Sequence, residues 1–256
     1  MTESALSDLT RRYLAEVVPR VQELAAQAQS GAFDDAIDLM VEAIDKGGII
    51  QAFGTGHSEA FAMEIAGRAG GLIPTNKIAL RDVVVWGSKS PEILGGSELE
   101  RDPAIVDELF ALSPVGEDDV FLIASNSGVN GSIVGLALLV KERGHKLIAV
   151  TSLEHTNRVQ PKHPSGKRLA DVADVVIDNL APFGDATLEL AGGTPVGAVS
   201  SITAAFIAQL LTIGTAERIA ERGVTPPLYI SANIPGGDEH NRALEELYRG
   251  KITRTA

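Results

Sequence analysis

Two short stretches of this 256-residue chain carry residue types suited to holding an anion. The first is Gly54-Thr55-Gly56-His57-Ser58. The second is Ser125-Asn126-Ser127-Gly128, with Asn130 two residues further on. Glycines let the backbone approach an anion closely. Serine and threonine hydroxyls donate hydrogen bonds without adding formal charge. Neither stretch ends in Gly-Lys-Ser/Thr, which disfavours a nucleoside triphosphate loop. The group that suits both is one phosphate monoester, held mostly by neutral donors at helix N-termini.

The first stretch also has two competing readings. Gly54-Thr55-Gly56 begins a dinucleotide-binding G-x-G-x-x-G, but the third glycine position is Glu59, and close packing there needs a small residue. Gly56-His57-Ser58-Glu59-Ala60 is close to the G-x-S-x-G elbow of a serine hydrolase, and Asp185 and His240 follow in the required order. That fold places several strands before its elbow, whereas two helices precede this one. Neither alternative uses the second loop, and the phosphate reading uses both.

The ionisable groups near these loops are candidates for proton transfer. His57 lies inside the first loop, with helix capping as its competing role. Glu59 and Glu64 fall on the following helix, Glu59 on a solvated face and Glu64 at helical spacing from Phe61 and Ile65, near an apolar face. Glu154 and His155 follow a later strand, Glu154 as an acid or base and His155 as a residue that orients the loop. Asp238-Glu239-His240-Asn241 opens the last helix, where Asp238 is a natural N-cap. Arg158, Lys162, His163, Lys167 and Arg168 form a basic run in a loop that Pro161, Pro164 and Gly166 make ordered. No carboxylate cluster has metal-ligand spacing, so neither a metal nor a cofactor is expected.

Apolar periodicity supplies the elements that position these groups. Residues 4–29 form a helix that Pro19 kinks or breaks, and 33–45 form a second helix. A strand at 49–53 runs into the first loop, and a helix from 58 to about 68 follows it. Short strands are expected at 72–74 and 79–85, a loop at 89–101 and a short helix at 103–112. Val120-Phe121-Leu122-Ile123-Ala124 reads as a buried parallel strand that ends in the second loop. A helix at 132–143 and strands at 146–151 and 173–177 follow. A long apolar helix spans 199–220, and an amphipathic one spans 238–248. This alternation implies a three-layer α/β/α sandwich with a central parallel sheet, as one domain covering 1–256.

Bulk composition narrows the function classes. Net charge is −12 and aromatics are 4%, which disfavours nucleic acid and anionic membranes as partners. The absence of cysteine excludes disulfides, zinc-thiolate sites and cysteine nucleophiles. The first residues lack the apolar segment of a secretory signal. The most apolar region, 196–213, is interrupted by Ser200, Ser201, Thr203 and Gln209 and reads as a buried helix. A cytoplasmic location is expected.

With both loops identified, and with Val150-Thr151-Ser152 as a third strand end, residues 30–220 resemble the SIS (sugar isomerase) domain family. Longer stretches resemble a stand-alone subgroup, the actinobacterial N-acetylglucosamine-6-phosphate dehydratases. These are GHSEAFAMEIAGRAGGL from Gly56, TSLEHT from Thr151, HPSGKRLADVADVVIDN from His163 and ISANIPGGDEHN from Ile230. The resemblance implies a phosphosugar held by Gly54, Thr55, Gly56, Ser58, Ser125, Asn126, Ser127, Gly128 and Asn130. It also implies a homodimer through the N-terminal helices and the last helix, with His240 placed near a neighbouring subunit's site. The implied chemistry is removal of the C2 proton of N-acetylglucosamine 6-phosphate by Glu64 or Glu154, followed by loss of water. Aldose-ketose isomerisation and sensing without chemistry are the alternatives. Family enzymes often carry a glutamate about ten residues beyond the loop serine, and that position here is Arg68.

Overall fold

The computed structural model describes residues 5–253, with side chains from residue 8 onward. Two helices lead the chain, α1 (Ala5–Gln29) and α2 (Asp34–Asp45). Helix α1 continues through Pro19, so of the expected kink or break the break does not occur. A proline removes one backbone donor. Here α1 packs on the long late helix, and just after Pro19 the Arg20 Nε donates to the Leu180 carbonyl at 3.0 Å.

The sheet has five parallel strands in the order β2-β1-β3-β4-β5. They are β1 (Ile50–Gly54), β2 (Thr75–Ile78), β3 (Val120–Ala124), β4 (Lys146–Thr151) and β5 (Val175–Asp178). Every residue of the central strands β1 and β3 is buried, which explains their unbroken apolar runs. Side chains alternate between two cores. Ile50, Ala52, Leu122 and Ile148 pack under α2, α3 (Glu59–Ile65) and α9 (Ser200–Glu221). Phe53, Phe121, Ile123 and Leu147 pack under α6 (Val106–Leu112) and α7 (Gly131–Glu142). The remaining helices are the short α4 (Asp82–Val85), α5 (Glu98–Arg101) and α8 (Leu153–Thr156), and the terminal α10 (Gly237–Leu247).

Several sequence expectations need correction. The strand expected on either side of residue 75 lies between the two expected positions, at Thr75-Asn76-Lys77-Ile78. Its polarity hid it. β2 is an edge strand, and Asn76 serves the C-terminal segment, donating to the Lys251 carbonyl and accepting from the Thr253 amide. Residues 82–85 are helical. The helix after the first loop ends at Ile65, because Ala66 is extended, and Arg68 lies beyond it. A hairpin of β6 (Ala186–Glu189) and β7 (Pro195–Ala198) was not foreseen; it packs against Tyr13, whose hydroxyl donates to the Ala198 carbonyl at 2.5 Å.

α9 has the length and composition to span a membrane, but its Ala204, Ile207, Ala208 and Leu211 are buried in the core.

Candidate functional site

The strand order reverses between β1 and β3, and ligands in open parallel sheets occupy the crevice beyond the carboxyl ends at such a point. Gly54–Ser58 and Ser125–Gly128 leave the sheet there. Close packing dictates the glycines. A Cβ on Gly54 would lie 2.2 Å from the Ser58 carbonyl oxygen. Gly128 has φ +63°, and a Cβ there would meet the hydroxyls of Thr151 and Thr156 at 3.0 and 3.1 Å. Gly56, at φ +55°, turns the first loop into a single 3-10 turn (Gly56–Ser58).

The two loops meet in one recess. Its lining is His57, Ser58 and Phe61 from the first loop and α3, Ala124, Ser125 and Asn126 from the second, and Val150, Asn179, Ser200, Ser201 and Ala204. None of these residues is an acid, a lysine or an arginine. The recess is nearly filled, with about 10 Å³ free, so a phosphate would sit at its mouth and the rest of a ligand above it.

The hydroxyls are not equivalent. Ser125 is buried, and its Oγ accepts from the Gly128 amide at 3.1 Å, shaping the second loop. Ser58 stands at the start of α3 without making a side-chain cap bond. Asn126 Oδ1 accepts from Asn179 Nδ2 at 3.1 Å, and the Asn126 carbonyl accepts from the Ser152 amide. Asp185 caps α9: Oδ1 accepts from the Val199 and Ser200 amides, and Oδ2 accepts from the Ser200 hydroxyl at 2.7 Å.

A carboxylate that the sequence reading passed over joins the two loops. Glu100 Oε1 accepts from the Thr55 hydroxyl at 2.9 Å and from Asn130 Nδ2 at 2.5 Å. Its carbonyl accepts from the buried Ser132 hydroxyl at 2.7 Å. Gly131 lets α7 begin against α5, since a Cβ there would lie 1.9 Å from the Arg101 carbonyl oxygen. Glu100 Oε2 is directed toward Gly56, within 3.8 Å of the position of a Cβ on that residue.

The other proton-transfer candidates are placed differently. His57 is exposed on the rim of the recess. Glu64 Oε1 is paired with Arg68 and accepts from Gln209 Nε2 at 2.7 Å, on α3 away from the loop. Glu59 is not a solvated residue, because it pairs with Arg81 at 2.7 Å and Lys77 at 3.6 Å. Glu154 is half-exposed, 3.2 Å from both Arg158 and the Phe183 amide, and does not line the recess. His155 does orient a loop. Its Nδ1 accepts from the Gly184 amide at 3.0 Å, and burial pushes its pKa below the ordinary value. His240 lies on α10, with Nε2 3.0 Å from the Leu228 carbonyl, and does not line the recess. Within the basic run, Arg168 donates to the carbonyls of Thr156 and Val159. Among the described residues, no group of three His, Cys, Asp or Glu side chains is arranged to hold a metal ion.

The SIS domain profile matches residues 12–152, more than half of the chain and both loops. The chain belongs to the SIS domain family. Its curated relatives include a UPF0309 protein of Listeria monocytogenes, 38% identical over 230 residues, with 88% of this chain and 92% of the relative covered. Another, from Geobacillus sp. strain WCH70, is 34% identical over 245 residues, covering 95% and 97%. Among solved structures, E. coli CFT073 c3406 in complex with A5P superposes with TM-score 0.53 at 18% identity, covering 86% of this chain and 94% of that one. The phosphoheptose isomerase GmhA from Neisseria gonorrhoeae gives 0.51 at 19%, covering 82% and 98%. At these identities the likeness establishes a common fold.

Proposed function

We propose that this SIS-family chain binds a hexosamine 6-phosphate and eliminates water from it, with N-acetylglucosamine 6-phosphate as substrate. The observation that carries this reading is the recess itself. Two hydroxyl-bearing loops and the start of α9 converge at the β1/β3 switch point with no charged residue in the lining. Neutral donors and helix N-termini suit a phosphate monoester. Glu100 does not line the recess but joins the two loops that do, through Thr55 and Asn130.

In the reaction, the sugar ring opens to an aldehyde, which acidifies the C2 proton. A carboxylate takes that proton and the C2–H electron pair passes into an enolate. The enolate expels the C3 hydroxyl, which leaves as water once protonated. We assign Glu100 as the base. Glu64 and Glu154 remain the alternatives and would first have to give up their partners Arg68 and Arg158. His57 on the rim, and His240 from a second copy of the chain, are the proposed acids. The working unit is a single-domain homodimer in the cytoplasm.

The test is incubation of the purified chain with N-acetylglucosamine 6-phosphate, followed by mass spectrometry and NMR. The expected product has lost one water. A product of unchanged mass in ordinary water, which carries one solvent deuteron when the reaction is run in D2O, would replace elimination by isomerisation. Binding without any change would make the chain a sensor.

A further inference from the structure

Asn179 is the first residue beyond β5. It lines the loop recess and is almost wholly buried, at 3% exposure. Its backbone amide donates to the Thr151 carbonyl at 2.9 Å, which ties it to the end of β4. Its side-chain Oδ1 accepts from the Ala181 amide at 2.9 Å. Ala181 is held in turn, because its carbonyl accepts from the Ser152 hydroxyl at 2.6 Å. A backbone amide N–H can only donate, so the oxygen of Asn179 must face Ala181 and its Nδ2 must face the other way.

The group on that other side is the Asn126 amide, whose Oδ1 accepts from Asn179 Nδ2 at 3.1 Å. A donor at this point selects the oxygen of Asn126 and turns its Nδ2 away from Asn179. The backbone of Asn126 is fixed as well. Its carbonyl accepts from the Ser152 amide at 3.2 Å and from the Thr151 hydroxyl at 3.4 Å. Among the described residues, Asn126 Nδ2 has no partner, and it is not one of the buried unpaired atoms. It is a donor that keeps contact with solvent, on a residue that lines the recess.

We infer that Asn179 is a positioning residue, which fixes the Asn126 amide so that Nδ2, rather than Oδ1, meets a phosphate oxygen of the ligand. This rests on the phosphosugar reading of the recess and adds the source of one donor's orientation. An amide free to turn would offer its oxygen as readily as its nitrogen, and an oxygen repels phosphate. A donor fixed in advance needs no reordering when the ligand arrives. That matters in a recess whose lining carries no lysine or arginine.

A double-mutant cycle tests whether Asn179 acts through Asn126. Calorimetry measures N-acetylglucosamine 6-phosphate binding to the unaltered chain, Asn126→Ala, Asn179→Ala and the double variant. Asn126→Ala is expected to weaken binding about tenfold. Asn179→Ala is expected to weaken it about threefold or more while Asn126 is present, and to add nothing once Asn126 is alanine. An equal loss in both backgrounds would overturn the inference, because Asn179 would then act independently of Asn126. So would no loss in either. NMR of the side-chain amides reads the orientation in the unaltered chain without ligand, and decides the matter even if Asn179→Ala does not fold. The Asn179 amide protons are expected to exchange slowly with water and those of Asn126 quickly. Protected Asn126 protons beside open Asn179 protons would overturn the inference. If the expected exchange pattern is found but the phosphosugar does not bind, the phosphosugar reading falls and the fixed donor stands.

Discussion

The Thr55 hydroxyl donates to Glu100 Oε1 at 2.9 Å, across 45 residues of sequence. This bond ties the loop leaving β1 to the short helix α5, and Asn130 ties the same oxygen to the start of α7. A carboxylate held by two donors on separate elements is preorganised for one position. In the proposed reaction that position is beside the sugar carbon that loses its proton.

Glu100→Gln separates a chemical role from a structural one. Glutamine keeps the shape and an acceptor for Thr55 but cannot take a proton. Turnover is expected to fall by about 100-fold or more, with phosphosugar affinity and melting temperature little changed. Glu154→Gln, on the surface, is expected to keep turnover within about threefold. If Glu154→Gln or Glu64→Gln abolishes turnover while Glu100→Gln retains it, the base has been misassigned.

Ser127 and Ser125 predict a contrast. The Ser125 hydroxyl shapes its own loop through Gly128 and lines the recess, whereas Ser127, two residues on in the same loop, is half-buried and is proposed to meet the phosphate. Ser127→Ala is expected to weaken binding of a hexosamine 6-phosphate about tenfold at unchanged stability. Ser125→Ala is expected to lower both affinity and melting temperature. Calorimetry and thermal melts measure the two effects, and identical behaviour of the two variants would count against this division of labour.

How much of this was legible in the sequence depended on the range of each interaction. The two glycine-serine loops could be read because each follows an unbroken apolar strand, and strand, turn and helix are local signals. Glu100 could not. It stands in Ser97-Glu98-Leu99-Glu100-Arg101, a polar stretch with three charges in five residues, and its meaning comes from Thr55 and Asn130. Strand β2 was missed for a related reason. Asn76 faces a segment 175 residues away, so its polarity carries no periodic signal. Asp185, whose capping of α9 shapes the edge of the recess, lies in the loop before a hairpin that was also missed.

Gly54→Ala tests the packing that lets the first loop turn. The added methyl group would lie 2.2 Å from a backbone carbonyl, and the buried strand end leaves it little room to move. The expected cost is about 1–3 kcal/mol, read from denaturant melts, together with a loss of phosphosugar binding. An unchanged melt would show that the loop can relax around the methyl group.

His155 gives the pH prediction. Burial lowers its pKa below the ordinary 6.5, with Asp185 opposing the shift and Lys162 adding to it. The Gly184 amide donates to Nδ1, so the bonded ring is neutral, and a proton on that nitrogen would set donor against donor. The unfolded chain therefore binds this proton more readily than the folded one. The stabilisation is complete above the unfolded value and is lost as pH falls through the lower folded value. Because the loop that His155 holds also carries Asp185, the loss is expected to reach the start of α9 and the edge of the recess. Hydrogen exchange at the Gly184 amide is expected to quicken as pH falls below the ordinary histidine value, beyond the intrinsic dependence of exchange. In His155→Gln that extra dependence should vanish, and its persistence would assign it to another group.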